Sequence, residues 1–99
     1  MKTTVVQYQV KFERADENQR LIEAVFTELA EDEPEGFTYK VFRLDDGVSF
    51  VHVVIEHDGV DHPGSLQDVP AFQAFVANIA ERCDTPPEAR GATIVGGFR

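Results

Sequence analysis

The 99-residue sequence predicts an α+β domain in which four strands form one antiparallel sheet and two helices cover a single face of it. Three observations predict this class: an alternating stretch near the N-terminus, two apolar stripes with helical spacing, and two apolar runs that flank an acidic turn. The elements follow the order strand, helix, strand, strand, helix, strand, with strands one and three expected at the centre of the sheet. The length corresponds to one domain, residues 1–99.

The first strand and first helix are predicted from two different periodicities. A period-2 alternation begins at Val6, and its apolar members are Val6, Tyr8, Val10 and Phe12. Asp16 and Gln19 then have the spacing of a capping box, which predicts that helix one begins at Asp16. Its apolar stripe continues to about Ala30, and Pro34 follows shortly afterwards.

Strands two and three are predicted as a hairpin over about Phe37 to Leu44 and Val48 to His57. The turn is Asp45-Asp46-Gly47, in which Gly47 tolerates positive φ. A three-residue loop is preferred because it places apolar residues opposite each other throughout, for example Phe42 opposite Phe50. The alternative two-residue loop opposes Arg43 with Phe50 and Lys40 with Val53.

The second helix is predicted from Pro70 to Cys83, because proline suits the first helical turn and an apolar stripe follows it. The stripe consists of Phe72, Phe75, Val76, Ile79 and Cys83. Asp84-Thr85-Pro86-Pro87 is expected to end this helix, and a last strand is predicted over about Ala89 to Phe98.

The hairpin carries large apolar residues on both faces, so both faces of the sheet require cover. The helix-covered face is predicted to hold Val6, Tyr8, Val10, Phe12, Phe37, Tyr39, Val41, Val51, Val53 and Ile55. The other face is predicted to hold Gln7, Gln9, Lys11, Lys40, Phe42, Leu44, Val48, Phe50, His52 and Val54. Because an exposed apolar patch of this size is unfavourable, we expect a homodimer whose interface is formed by Phe42, Leu44, Val48, Phe50 and Val54.

The chain resembles the dimeric α+β barrel superfamily, in which ferredoxin-like subunits join their sheets into a shared barrel. The resemblance covers nearly the whole chain. It rests on the order of elements and on the segments Gly36-Phe37-Thr38-Tyr39-Lys40-Val41-Phe42, Ser49-Phe50-Val51-His52-Val53 and Val69-Pro70-Ala71-Phe72-Gln73-Ala74-Phe75.

This resemblance implies a ferredoxin-like subunit with a ligand cavity between helices and sheet or inside the barrel. Superfamily members include antibiotic-biosynthesis-type monooxygenases, haem-degrading enzymes and stress-response proteins. The sequence has no Trp, lacks the Asn, Trp and His set of the haem-degrading branch, and has no His in helix two. We therefore expect neither haem nor another cofactor.

Five side chains are candidates for ligand binding. His52 is the first, because its imidazole titrates near neutral pH and acts as a base or orients a ligand; the alternative is a buried structural histidine. Lys40 can pair with an anionic ligand or remain in solvent, and Gln9 would be enclosed with the apolar patch. Tyr8 and Tyr39 carry hydroxyls that reach a cavity or belong to the core.

The loop after strand three contains four residue types that bind metals, namely His57, Asp58, Asp61 and His62. Their spacing matches no strong metal motif, and Gly59 lies among them, so we interpret the segment as a polar turn without a metal.

Charge and cysteine content restrict partners and compartment. The formal net charge of −9 disfavours nucleic acid and anionic membranes. One cysteine, Cys83, cannot form an internal disulfide, which favours the cytoplasm. The leading hypothesis is a homodimer that holds a small organic molecule. The alternatives are a cofactor-independent monooxygenase that uses His52, and a structural or regulatory dimer with a filled interior.

Overall fold

A computed structural model describes residues 1–99. The four strands form one antiparallel sheet in the order β2-β3-β1-β4, so strands one and three are central as predicted. The regular elements are β1 (Lys2–Val10), α1 (Ala15–Asp32), β2 (Phe37–Arg43), β3 (Ser49–Glu56), α2 (Pro70–Val76), α3 (Ile79–Arg82) and β4 (Cys83–Ala92), with short 3₁₀ turns at Phe12–Arg14 and Leu66–Asp68. The predicted order and the four-stranded antiparallel sheet are confirmed.

The junction of β1 and α1 differs from the prediction at two points. Phe12 lies in a 3₁₀ turn and is 85% exposed, so its predicted position on the helix-covered face is wrong. Asp16 does not cap α1, which begins at Ala15 without a side-chain cap. The Asp16 carboxylate and the Gln19 amide oxygen instead accept hydrogen bonds from Arg43 Nη1, at 3.2 and 2.7 Å.

The predicted register of the β2–β3 hairpin is wrong by one residue. Arg43 lies opposite Phe50 and Lys40 lies opposite Val53, which is the pairing of the alternative register. The preferred pairing of Phe42 with Phe50 does not occur, because Phe42 lies opposite Val51.

The acidic turn explains this register. Asp46 accepts hydrogen bonds from the backbone N–H groups of Val48 and Ser49, at 2.9 and 2.8 Å. Leu44 N–H donates to the carbonyl of Ser49 at 2.9 Å, and Gly47 has the expected positive φ of 79°. The Asp46 carboxylate therefore organises a loop between Leu44 and Ser49 that is one residue longer than the preferred three-residue loop. The strands pair as in the alternative register, although the loop is not the two-residue loop from which that register was predicted.

A shift of one residue moves every side chain of a strand to the opposite face. Phe50, His52 and Val54 therefore belong to the helix-covered face, and Val51, Val53 and Ile55 belong to the open face, so both predicted assignments are wrong for β3. The structure confirms the helix-covered side for the β1 and β2 residues Val6, Tyr8, Val10, Phe37, Tyr39 and Val41.

The same shift changes the composition of the predicted dimer interface. Phe50 is 1% exposed in the core, and Val48 and Val54 pack against that core, so these three cannot line the open face. Phe42 and Leu44 stay exposed, at 51% and 40%. The open face nevertheless keeps an apolar group, formed by Val5, Phe42, Val51, Val53 and Ile55.

The predicted second helix is interrupted. Ala77 is extended and Asn78 is left-handed, with φ of 61°, so α2 ends at Val76 and α3 begins at Ile79. Asparagine tolerates this conformation better than most residues, which explains why the break falls there.

The last strand also differs from the prediction. β4 begins at Cys83 rather than Ala89, and residues 93–99 have no regular structure. Pro86 and Pro87 lie where the register between β1 and β4 shifts, on an edge strand. Proline is tolerated at both kinds of position, because no ladder hydrogen bond is lost there.

Candidate functional site

A cavity of about 380 Å³ lies between the helix-covered face of the sheet and the α2–α3 segment. Eleven of its 19 lining residues are hydrophobic, which suits a mainly apolar organic molecule. The sheet contributes Thr4, Val6, Tyr8, Tyr39, His52 and Val54, and the facing wall is formed by Leu66, Phe72, Phe75, Val76 and Ile79. Lys2 and Glu56, a cross-strand pair exposed to solvent, also line it.

His52 lies at the centre of a hydrogen-bonded group that borders this cavity. Its Nε2 is 2.7 Å from the Tyr8 hydroxyl and its Nδ1 is 2.7 Å from the Tyr39 hydroxyl. The three side chains come from the three adjacent strands β1, β3 and β2, and are only 2%, 4% and 9% exposed for Tyr8, His52 and Tyr39. The register of the hairpin is what aligns them.

The group continues from Tyr8 into the helices. Asn18 Nδ2 donates to the Tyr8 hydroxyl at 2.9 Å, and Arg82 Nε donates to Asn18 Oδ1 at 3.1 Å. Both new members are buried, at 0% for Asn18 and 3% for Arg82. Five side chains from five elements thus form one continuous chain of hydrogen bonds, which we call the buried relay: Arg82, Asn18, Tyr8, His52 and Tyr39.

The break between α2 and α3 places Arg82. Its guanidinium donates to the carbonyls of Phe75 at 2.5 Å and Ala77 at 3.3 Å, where the end of α2 leaves carbonyls without helical partners. The Arg82 guanidinium also lies over the Phe75 ring, 5.5 Å from its centroid. At the other end of α2, Glu28 accepts a hydrogen bond from the backbone N–H of Ala71 at 2.8 Å. Helix α2, one wall of the cavity, is therefore held at both ends.

Burial sets the protonation states of the relay. It lowers the pKa of His52 from 6.5 to about 4 and raises the pKa values of Tyr8 and Tyr39 well above their usual range. At neutral pH the imidazole and both phenols are therefore uncharged. The site offers neutral hydrogen-bonding groups beside an apolar surface.

Three of the five predicted ligand-binding residues come together here, namely His52, Tyr8 and Tyr39. Lys40 is exposed on the open face, opposite Val53. Gln9 also points to that face, where its Oε1 is 3.4 Å from the Thr85 hydroxyl. The structure does not bring Lys40 or Gln9 to this cavity.

The loop after β3 is held by other contacts. His57 Nε2 is 2.8 Å from the Thr38 hydroxyl, and Asp58 pairs with the N-terminal amine. The structure contains no group of three or more His, Cys, Asp or Glu side chains suited to a metal ion.

Sequence reasoning did not identify Asn18 and Arg82. Asn18 occupies the buried side of α1 together with Ile22 and Val25, so a polar residue interrupts an apolar helical stripe. Such a residue needs a buried partner, and this was the available signal. The signal for Arg82 was weaker, because the burial of Arg82 depends on the break between α2 and α3 at Asn78.

No protein-family profile matches the sequence, and no curated protein matches it. Solved structures do match it over nearly its whole length. A protein of Nitrosomonas europaea, provisionally assigned as an antibiotic biosynthesis monooxygenase, has a TM-score of 0.76 at 13% identity and covers 97% of this chain and 100% of its own. Rv0793 from Mycobacterium tuberculosis has a TM-score of 0.71 at 13% identity and covers 99% and 98% of the two chains.

SnoaB, a cofactor-independent oxygenase from Streptomyces nogalater, has a TM-score of 0.64 at 17% identity, covering 98% of this chain and 95% of its own. The chain thus has the ferredoxin-like α+β fold of the antibiotic-biosynthesis-monooxygenase-like proteins, and the resemblance predicted from the sequence is confirmed at the level of fold. No helix in the chain has the length and apolar character that a membrane crossing requires.

Proposed function

We propose that this single-domain protein is a cytoplasmic homodimer that binds a small, mainly apolar organic molecule in the cavity beside Tyr39. The proposal rests on the cavity of about 380 Å³, whose walls are mostly apolar. Its buried polar groups are neutral, and the charged Lys2 and Glu56 that also line it are exposed to solvent. Sites for small molecules usually have this composition, in which a few polar groups orient the ligand and apolar contacts hold it.

The dimer part of the proposal is supported by the open face. Val5, Phe42, Val51, Val53 and Ile55 form an apolar surface there. Burying each large apolar side chain fully contributes about 1.5–3 kcal/mol, so pairing two such faces is favourable. The proposed interface therefore contains Val51, Val53 and Ile55 in place of Phe50, Val48 and Val54. An interface is still expected because this apolar surface is otherwise open to solvent.

Val54 and Val53 provide a matched pair of variants, because they are adjacent in β3 and point to opposite faces. Val54→Phe narrows the cavity and should abolish ligand retention while the dimer persists. Val53→Asp places a charge on the open face and should give a monomer. Native mass spectrometry of freshly purified protein reports stoichiometry and retained molecules together. If the parent protein is monomeric at micromolar concentration, the proposed dimer is wrong. If it retains no small molecule and binds none that is added, the proposed binding function is wrong.

A cofactor-independent monooxygenase is the second candidate, because the imidazole of His52 borders the cavity and SnoaB shares the fold. Such a reaction begins with removal of a proton from the substrate by a base. Burial lowers the pKa of His52 to about 4, so its neutral imidazole has little tendency to take a proton at neutral pH. His52 is thus a poor base, and ligand binding is the better supported function.

Oxygen consumption separates the two candidates. We expect no uptake above background when a retained ligand is supplied again to the purified protein. Uptake that His52→Gln abolishes would instead establish the oxygenase, with His52 as its base.

A further inference from the structure

We propose that the buried relay runs in one direction, from Arg82 to Tyr39, and that the free hydroxyl hydrogen of Tyr39 selects ligands with an acceptor oxygen. The ligand part rests on the proposed function, whereas the direction of the relay is a property of the protein alone. The relay consists of Arg82, Asn18, Tyr8, His52 and Tyr39.

The direction is set at Arg82. A guanidinium has only donors, so the atom of Asn18 that it contacts must be the carbonyl oxygen. The amide nitrogen of Asn18 then faces Tyr8 and donates to its hydroxyl oxygen, at 2.9 Å. The orientation of this amide therefore follows from the chemistry of its neighbour.

Two arrangements remain for His52, because a neutral imidazole carries one N–H and one acceptor nitrogen. If Tyr8 donates to Nε2, then Nδ1–H donates to the Tyr39 oxygen, and the hydroxyl hydrogen of Tyr39 is left free. If Tyr39 donates to Nδ1, then Nε2–H and Asn18 both donate to Tyr8, and the hydroxyl hydrogen of Tyr8 is left free.

Burial decides between these arrangements. Tyr8 is 2% exposed, and its ring stacks on Phe50 at 5.7 Å and lies 6.5 Å from Phe75. A donor without a partner is unfavourable among such rings. Both tyrosines line the cavity, and Tyr39 also stacks on a ring, that of Phe26 at 5.1 Å. The difference is exposure, since Tyr39 is the most exposed member of the relay, at 9%, against 2% for Tyr8. The free hydrogen therefore belongs to Tyr39, and His52 is the Nδ1–H tautomer.

A free donor at the end of a fixed relay distinguishes ligands by chemistry. The Tyr39 oxygen already accepts from His52, so its hydrogen is the group left to offer. A ketone or other carbonyl oxygen satisfies it, while a hydrocarbon of the same shape leaves it without a partner. The site thus favours compact apolar carbonyl compounds, with Tyr39 as the group that determines specificity.

The tautomer is tested on the parent protein without any ligand. The variant His57→Gln/His62→Gln leaves His52 as the only histidine, and two-bond ¹⁵N–¹H NMR correlations identify the nitrogen that carries the proton. We expect Nδ1–H. In the additional variant Tyr8→Phe, Nε2 loses its donor and the Nδ1–H population should fall. An Nε2–H tautomer in the otherwise parental protein overturns the proposal.

Ligand choice is tested with 1-tetralone and tetralin, which differ in one carbonyl oxygen. Their Kd values are measured by ligand-observed NMR with the parent protein and with Tyr39→Phe, whose thermal unfolding confirms that it folds. We expect the parent to prefer tetralone by about threefold to tenfold, and Tyr39→Phe to bind both equally.

Equal binding of the two probes to the parent overturns the selectivity and leaves the proposed binding function intact. Binding of neither probe overturns the selectivity and counts against the proposed function as well. In both cases the NMR tautomer still decides the direction of the relay, so the failures are distinguishable.

Discussion

The two faces of the sheet are built from the same strands but have opposite chemistry. The helix-covered face presents Phe50 together with Tyr8, His52 and Tyr39, and the polar atoms of the last three are hydrogen-bonded to each other and, through Tyr8, to the buried Asn18 of α1. The open face carries an apolar group of Val5, Phe42, Val51, Val53 and Ile55, beside the polar side chains of Gln9 and Lys40. The comparison teaches that one face specifies a small site through directed hydrogen bonds, and the other offers non-directional apolar area, which suits a second copy of the chain.

The largest expected difference between the faces is in core stability. Phe50→Ala removes a side chain that is 1% exposed and should lower the free energy of unfolding by about 3–5 kcal/mol. Phe42→Ala is the matched control on the open face, where the side chain is 51% exposed, and should cost under about 1 kcal/mol within the subunit. Urea denaturation measures both, in the background of Val53→Asp, which is expected to be monomeric. If both variants lose the same free energy of unfolding, the two faces contribute equally to the stability of the subunit and the prediction is wrong.

The second test uses the depressed pKa of His52. Its folded pKa is about 4 and its unfolded pKa is 6.5, so the unfolded chain binds more protons between these values. This contribution to stability is fully present above pH 6.5 and is lost as pH falls towards 4, by about 3 kcal/mol in total. Urea midpoints across this range measure it.

His52→Gln should flatten this pH dependence, and His57→Gln should leave it unchanged, since His57 is exposed. A pH dependence that persists in His52→Gln would assign the titration to another group.

The smallest expected effect concerns the anchor of the relay. Arg82→Met keeps much of the side-chain volume but removes the donors to Asn18, Phe75 and Ala77. We expect a loss of about 2 kcal/mol in the free energy of unfolding. Arg14→Met is the control, because Arg14 pairs only with the partly exposed Glu17. Similar losses in the two variants would show that the buried relay adds nothing beyond a surface pair.

The topology of the sheet could be predicted from the sequence because it depends on the type and order of the elements. The register of the hairpin could not, since apolar matching favoured Phe42 opposite Phe50, and the Asp46 side chain organised a different turn. That single residue of shift moved His52 from the open face to the cavity. The choice of His52, Tyr8 and Tyr39 as candidates was therefore more informative than their predicted faces.

The remainder of the site depends on contacts between residues far apart in the sequence. Asn18 and Arg82 are 64 positions apart, and their contact requires the break at Asn78. The stripe of the second helix gave no indication of this break, because Phe72, Phe75 and Ile79 keep helical spacing across it. Periodicity reports which residues prefer burial, and it does not report how an uncapped helix end is satisfied.

The anchoring of α2 has a kinetic consequence. Glu28 fastens one end of this short helix to α1, and Arg82 fastens the other end through Asn18. Because α2 is anchored at both ends, the cavity is preorganised. Ligand binding should therefore require little rearrangement of the protein and cost little conformational entropy. Under the proposed function, differences in affinity among ligands should then arise mainly from their dissociation rates, with similar association rates.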